Sequence, residues 1–338
     1  MSKKILENIE WFHDDEAVAR GELGLFHSYM SSLATVINYR EGTVDPTALM
    51  GASGFAFRII INETLCPSAF SVFDWENILP EAVKQAGFKC RHISRLWHEA
   101  DVEEVRRQEA HEAIVKGIGK NTPVIAWDID STEWGIIIGF DDDEKLYHCL
   151  NFMGQKITLP YDKLGKNGID ILSIIILGNK NNRDPRKICH NAISVAVDHA
   201  EQKEWMDRPK YQDGLPAFDL WSSIFEKWAL IEKAGKGGNI SEDIPFFARL
   251  YAGQYYSARC YACDYLKSIA NGNSYLLEAS AHYKKVSDNL KPLWEHFVRQ
   301  KPVSAGELKI FAELIKRAKY EEEKSLASLE KYLVCLPG

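Results

Sequence analysis

Between Thr122 and Leu177, five apolar, β-branched runs crowd into about fifty-five residues, each bounded by Asp, Gly, Asn or Pro. They are Pro123 to Trp127, Glu133 to Phe140, Leu146 to Asn151, Gln155 to Leu159 and Ile169 to Leu177. Runs of this length with such boundaries predict strands joined by hairpins, and hence a small, largely antiparallel sheet. Asp141, Asp142 and Asp143 predict one of the turns, because aspartate tolerates turn geometry. Little else in the chain reads as strand; Lys89 to Ile93 is a short candidate.

The remaining chain is helical in pattern. Ser28 to Glu41 carries Leu33, Val36 and Ile37 at helical spacing and stops at Gly42. Asp45-Pro46 predicts a helix start, with Asp as N-cap and Pro at the first helical position. That turn closes at Met50-Gly51-Ala52-Ser53-Gly54, where glycines beside small residues permit either tight packing or close approach of a ligand. Leu79 to Ala86 and Asp101 to Lys116 follow as helices. Gly178 to Pro185 is composed of breakers and reads as a linker. Beyond it, segments near 186–205, 217–234, 243–270, 274–299 and 305–333 predict a bundle of about five helices, the last opened by a Ser304…Glu307 capping box.

The 338 residues suggest about two domains. We place them at 1–178, an α+β domain, and 186–338, an all-α helical domain. A net charge of −7 with no Lys/Arg block argues against a nucleic-acid partner. No apolar run of membrane-spanning length and no signal-peptide core are present, so no membrane partner is expected and a cytoplasmic location is. Seven cysteines, an odd and scattered set, fit a reducing compartment.

Few side chains are spaced for chemistry. Cys260 and Cys263 share a helical face, which is half a metal or redox motif or plain packing. His27 and Ser28 open a helix, where Ser28 is either an N-cap or a nucleophile favoured by the macrodipole. His148 and Asn151 lie on opposite faces of one predicted strand. Arg58 follows the Gly51–Gly54 turn and reads as half of an ion pair or as an anion contact. The other histidines, among them His92, His111 and His199, are dispersed, and none is spaced with another like a metal pair. No metal or cofactor motif is found, and no cofactor is expected.

Two stretches carry a family resemblance. Glu133-Trp134-Gly135 through Gly139-Phe140-Asp141, followed by Leu146 to Asn151, is similar to the strand pair of papain-like cysteine peptidases of the bacteriocin-processing type. In that family the first strand begins with the catalytic His, and the next ends in the Asp or Asn that orients it. Upstream, His27 to Gly42 and Asp45 to Phe57 resemble the butirosin biosynthesis protein H-like N-terminal domain, a papain-like group whose namesake transfers an acyl chain from a carrier protein. The resemblance implies a papain-like (cysteine proteinase) fold over roughly residues 20–178. It places Ser28 where the family has its Cys, Glu133 where it has its His, and Asn151 at the orienting position. Without thiol and imidazole, cysteine-peptidase chemistry is lost.

Three functions follow as expectations. The first is a catalytically degenerate papain-like protein that binds a small molecule, or a peptide or acyl-carrier partner. Its cleft lies between the first helix and the sheet, lined by Ser28, Glu133, Trp134 and Asn151, with His27, Gly51, Ser53 and Gly54 nearby. The second is acyl transfer by Ser28, or by recruited Cys66 and His148. The third is an assembly role, with homodimerisation through the aromatic helical half, where Trp205, Trp221, Trp228, Tyr251, Tyr255, Tyr256 and Tyr261 lie.

Overall fold

The computed structural model describes residues 2–204, 206–207, 209–233, 243–299 and 301–335. Its elements begin with β1 (Lys3–Ile5), α1 (Asp15–Ala19), α2 (Ser28–Glu41), α3 (Pro46–Ala52), β2 (Ile60–Asn62), α4 (Trp75–Gln85), β3 (Phe88–Arg95) and α5 (Glu103–Gly119). Next come β4 (Val124–Trp127), β5 (Trp134–Asp141), β6 (Leu146–Leu150), β7 (Lys156–Pro160) and β8 (Leu172–Lys180). The last are α6 (Pro185–Ala200), β9 (Tyr211–Asp213), α7 (Gly214–Lys233), α8 (Asp243–Ile269), α9 (Ser274–Phe297) and α10 (Ala305–Cys335). The chain is mixed α and β with an antiparallel main sheet. No helix among the described residues is long and apolar enough to cross a membrane.

Two compact units divide the chain. One gathers Met1–Glu16, His27–Leu49 and Trp75–Arg183; the other gathers Ala17–Phe26, Met50–Asp74 and Asp184–Gly338. A single cut between 178 and 186 therefore does not describe them. Two early stretches, 17–26 and 50–74, belong with the helices. The expected linker is also structured at both ends: Gly178 to Lys180 extend β8, and the Asp184 side chain caps α6 by accepting from Arg186 N–H.

In the first unit the strand order is β3-β8-β4-β5-β6-β7, with β1 alongside β5. The five strands anticipated between 122 and 177 are β4 to β8, each antiparallel to its neighbours. Alternation gives the sheet two unlike faces. Val124, Ala126, Ile137, Ile93 and Ile174 join Ala110, Ile114 and Ile118 of α5 in one apolar core. The alternate residues, including Ile125, Trp127, Ser173 and His92, turn to the other face. Gly139 is required where β1 crosses: a Cβ there would come within 2.7 Å of the Lys4 carbonyl oxygen.

The second unit is built from α6 to α10 with β2 paired to β9. Residues 50–74 belong to it because buried polar atoms bind them in. Tyr255 OH accepts from Ile60 N–H, and Arg259 donates to the carbonyls of Ala56 and Arg58. Residues 17–26 are held likewise, with Ser257 Oγ bonding the Gly24 carbonyl and Phe26 packed edge-on to Trp294. Trp221, Tyr251, Tyr255, Tyr256 and Tyr261 are buried within the unit, so these aromatics fill a core. Trp205 and the break at 235–239 lie outside the described residues. The thiol of Cys260 is pushed up to about 12 by burial, and that of Cys263 is raised for the same reason, as packed, unreactive thiols should be. The Ser304 capping box forms, with Ser304 N–H bonding Glu307 and Glu307 N–H bonding Ser304 Oγ.

Arg259 and Glu322 make a bidentate pair with both side chains buried, at 2.8 and 2.7 Å. Arg259→Met leaves Glu322 buried without its cation, and we expect a loss of about 3–5 kcal/mol in denaturant unfolding. Adding Glu322→Met removes the stranded carboxyl and should restore much of that stability. A double variant as unstable as the single would show that the pair itself, and not the stranded charge, dominates.

Candidate functional site

The sheet-bearing unit holds Ser28, Glu133 and Trp134 together. Ser28 is the first residue of α2, and His27 is its N-cap: His27 Nδ1 accepts from Tyr29 N–H at 3.2 Å. Ser28 is thereby freed from capping. Its Oγ donates to Glu133 Oε2 at 2.5 Å and accepts from Trp134 N–H at 3.3 Å. Glu133 sits at the end of the loop between β4 and β5, where Asp128 N–H bonds the Glu133 carbonyl at 3.0 Å.

Burial raises the Glu133 carboxyl above the ordinary glutamate range, and the Ser28 hydrogen bond draws it partly back. Among the described residues no cation lies within ion-pair distance of it. Beside it, Trp134 meets Trp127 and Trp75 with ring centroids 5.3 and 5.1 Å away, and Tyr29 meets Trp134 at 5.2 Å. Trp75 and Trp127 are 5.1 Å apart, so the three indoles touch pairwise. Among the described residues the buried indole N–H groups of Trp127 and Trp134 have no hydrogen-bond partner. Such groups are rare in folded proteins.

Asn151 does not play the orienting part expected of it. Its Nδ2 donates to Asp130 Oδ2 at 3.0 Å and to Gln155 Oε1 at 3.2 Å, while its Oδ1 accepts from the Met153 and Gln155 N–H groups. It forms the turn after β6 and ties the β4–β5 loop through Asp130. Sequence reading missed Asp128, which is buried at positive φ. Its Oδ2 accepts from the Gly168 and Ile169 N–H groups at 2.6 and 2.8 Å. Its signal was the breaker cluster Asp128 to Thr132 between two strands.

The other expected site residues are elsewhere. His148 on β6 lies opposite Gly139, about 20 Å along β5 from Glu133 at ordinary strand rise. Burial and then Lys3 hold its imidazole below the usual range, against the pull of Asp141. Gly51, Ser53, Gly54 and Cys66 belong to the helical unit. Gly51 is packed: a Cβ there would fall 1.9 Å from Tyr265 Cγ. Gly54, at φ +79°, would meet Val195 Cγ1 at 2.6 Å. Ser53 is buried, and its carbonyl takes an Arg58 N–H at 3.0 Å. Arg58 forks onto Glu204. The turn is thus the tight-packing alternative and no ligand cradle. Cys66 precedes a single 3₁₀ turn, with Ser68 Oγ donating to its Sγ at 3.1 Å and Tyr251 OH to its carbonyl.

Among the described residues no group of three or more His, Cys, Asp or Glu is arranged to hold a metal ion. No protein-family model and no curated protein matches the chain.

Glu133 gives a pH signature of known sign. Its folded carboxyl binds a proton above the pH at which the unfolded one releases it, so its burial lowers stability as pH rises between the two values. We expect Glu133→Gln to flatten that decline in denaturant unfolding measured from the glutamate range to neutrality. An unchanged slope would mean that Glu133 is solvated as an ordinary surface carboxylate.

Proposed function

We propose that the sheet-bearing unit is papain-like in plan and that Ser28 and Glu133 mark a recognition site from which cysteine-peptidase chemistry has been lost. The observation that carries this is the Ser28–Glu133 hydrogen bond at 2.5 Å, with serine and carboxylate at the positions the resemblance assigns to thiol and imidazole. A half-buried carboxyl with a serine hydroxyl as its partner can exchange that bond for one to a ligand, and the enclosed ring of Trp134 packs with Trp75 and Trp127 to give the site an apolar floor. The occupant is a small molecule, or the end of a peptide or carrier-bound chain.

A second reading keeps chemistry at the same atoms. A hydroxyl at a helix N-terminus, bonded to a carboxylate whose basicity burial has raised, has the relation of nucleophile to base. What weighs against it is that Asn151, the only further group at hand by motif, is committed to Asp130 and Gln155.

Labelling separates the two. The protein is treated with a fluorophosphonate, and the adduct is located by peptide mapping. Under the recognition reading Ser28 stays unmodified. In a thermal-shift screen of short amines, hydroxy compounds and peptides, a hit raises the melting temperature, and Glu133→Gln removes that rise. A Ser28 adduct that disappears in Glu133→Gln would overturn recognition and install acyl transfer.

A further inference from the structure

The sheet face that carries Trp127 and Trp134 holds another group of reactive side chains, which the Ser28–Glu133 reading does not use. His92 on β3 lies opposite Ile175 and Ser94 lies opposite Ser173 on β8, so His92, Ser94 and Ser173 project from the same face. Ser173 Oγ is 2.8 Å from His92 Nε2. His92 Nδ1 is 3.6 Å from Oε2 of Glu76, in the first turn of α4. The other oxygen of that carboxylate takes a hydrogen bond from Ser94 Oγ, which holds Glu76 over the imidazole. Ala126 pairs with Ile174, so Trp127, next along β4, projects from the same sheet face as Ser173.

Two buried polar atoms in this group lack a hydrogen-bond partner among the described residues: His92 Nδ1 and Trp127 Nε1. A histidine serving only to fill space would be expected to satisfy both ring nitrogens. Here one nitrogen is bonded to a serine hydroxyl, while the other faces a carboxylate just beyond hydrogen-bond length. The Trp127 indole N–H, on the same sheet face, has no acceptor among the described residues.

We propose that Ser173, His92 and Glu76 act as nucleophile, base and positioning carboxylate for transfer of a small acyl group from an activated ester or thioester. Ser173 Oγ forms the bond to the acyl carbon as its proton passes to His92 Nε2. The ester C–O or thioester C–S bond then breaks, and the leaving oxygen or sulfur takes that proton from the imidazole. Water, giving a proton to the same nitrogen, releases the carboxylic acid and restores the serine. This requires the tautomer with its proton on Nδ1, which directs that N–H toward Glu76.

Burial lowers the basicity of His92 and Glu76 partly offsets it, which keeps the ring neutral and able to accept at neutral pH. The polar and titratable groups facing it are Glu76 from α4, Ser173 from β8, and Cys90 and Ser94 from its own strand face. Ser173 is 1% exposed, whereas the Glu76 side chain is 62% exposed. Glu76 is the member of the trio that meets solvent, and the enclosure of Ser173 restricts the acyl group to a small one.

The full-length protein is incubated with p-nitrophenyl acetate, p-nitrophenolate release is followed, and the acetylated peptide is identified by mass spectrometry. We expect acetyl on Ser173 and a rate that rises with pH as a single group loses its proton. His92→Gln should slow acetylation by about 100-fold or more. Glu76→Gln should move the pH midpoint downward, because the carboxylate supports the imidazolium; a merely structural role would leave the midpoint in place. Acetyl absent from Ser173 in the unsubstituted protein, or found only on lysines or on Ser28, overturns the proposal, and so does a rate indifferent to His92→Gln. Because the unsubstituted protein gives the primary readout, a variant that fails to fold does not shelter the idea. A Ser28 adduct would point instead to the alternative chemistry at Ser28 and Glu133.

Discussion

The pairing of β4 with β5 is the constraint on which the sheet-bearing unit depends. Trp127 sits opposite Trp134, and a slip of one residue would carry Glu133 and Trp134 to the opposite faces of the chain. Register is fixed at the loop. Asp128 adopts a left-handed backbone, bonds the Glu133 carbonyl through its own N–H, and spends its carboxylate on the backbone N–H groups of Gly168 and Ile169. Asp130 is fastened from the far side by Asn151. Glu133 is thus aimed by a braced loop and met by the Ser28 hydroxyl.

Three buried or partly buried carboxyls show how the two units treat charge. In the helical unit, burial pushes Glu204 up, but Arg58 and then the His199 hydrogen bond outweigh it and hold it well below the usual range. Glu322 is fully enclosed, and burial wins there even against a bidentate Arg259. Both have an arginine. Among the described residues Glu133 has a hydroxyl as partner and no arginine. A carboxyl desolvated without a cation is costly to stability, and Glu133 shares that condition with Asp128, which two backbone N–H groups hold.

Much of the sheet was legible because strand runs and breakers are local signals. The strands from 122 to 177 and the helix ending at Gly42 were legible in outline, and Gly42 takes the left-handed cap that its residue type permits. Ser28 stood out by its place at a helix start, but Glu133 as its partner could be named only through a resemblance, since their contact spans 105 residues and leaves no periodic trace. Roles assigned by motif fared worse. Asn151 has the predicted position and different partners, because its amide satisfies a turn on its own strand. The Gly51–Gly54 turn looked the same for a ligand as for an aromatic ring, and only the packing of Tyr265 decides between them. His92 was passed over as one of several scattered histidines; its partners come from α4 and β8, and cross-strand neighbours of this kind are invisible to spacing along the chain.

The cap at the head of α2 has a consequence for the chemistry of its own terminus. Most helices are capped by a hydroxyl or carboxylate oxygen, whose acceptor character is indifferent to mild changes of proton activity. Here the acceptor is an imidazole lone pair on His27 Nδ1. That lone pair exists only in the neutral ring with its proton on Nε2, so one tautomer of one residue holds the first turn. A protonated ring would turn the acceptor into a donor aimed at another donor, and would set a positive charge against the positive end of the helix. Ser28 follows directly in the chain, so the cap and the hydroxyl that meets Glu133 belong to one turn. The helix entrance is thus closed by a ring nitrogen, one residue from that hydroxyl.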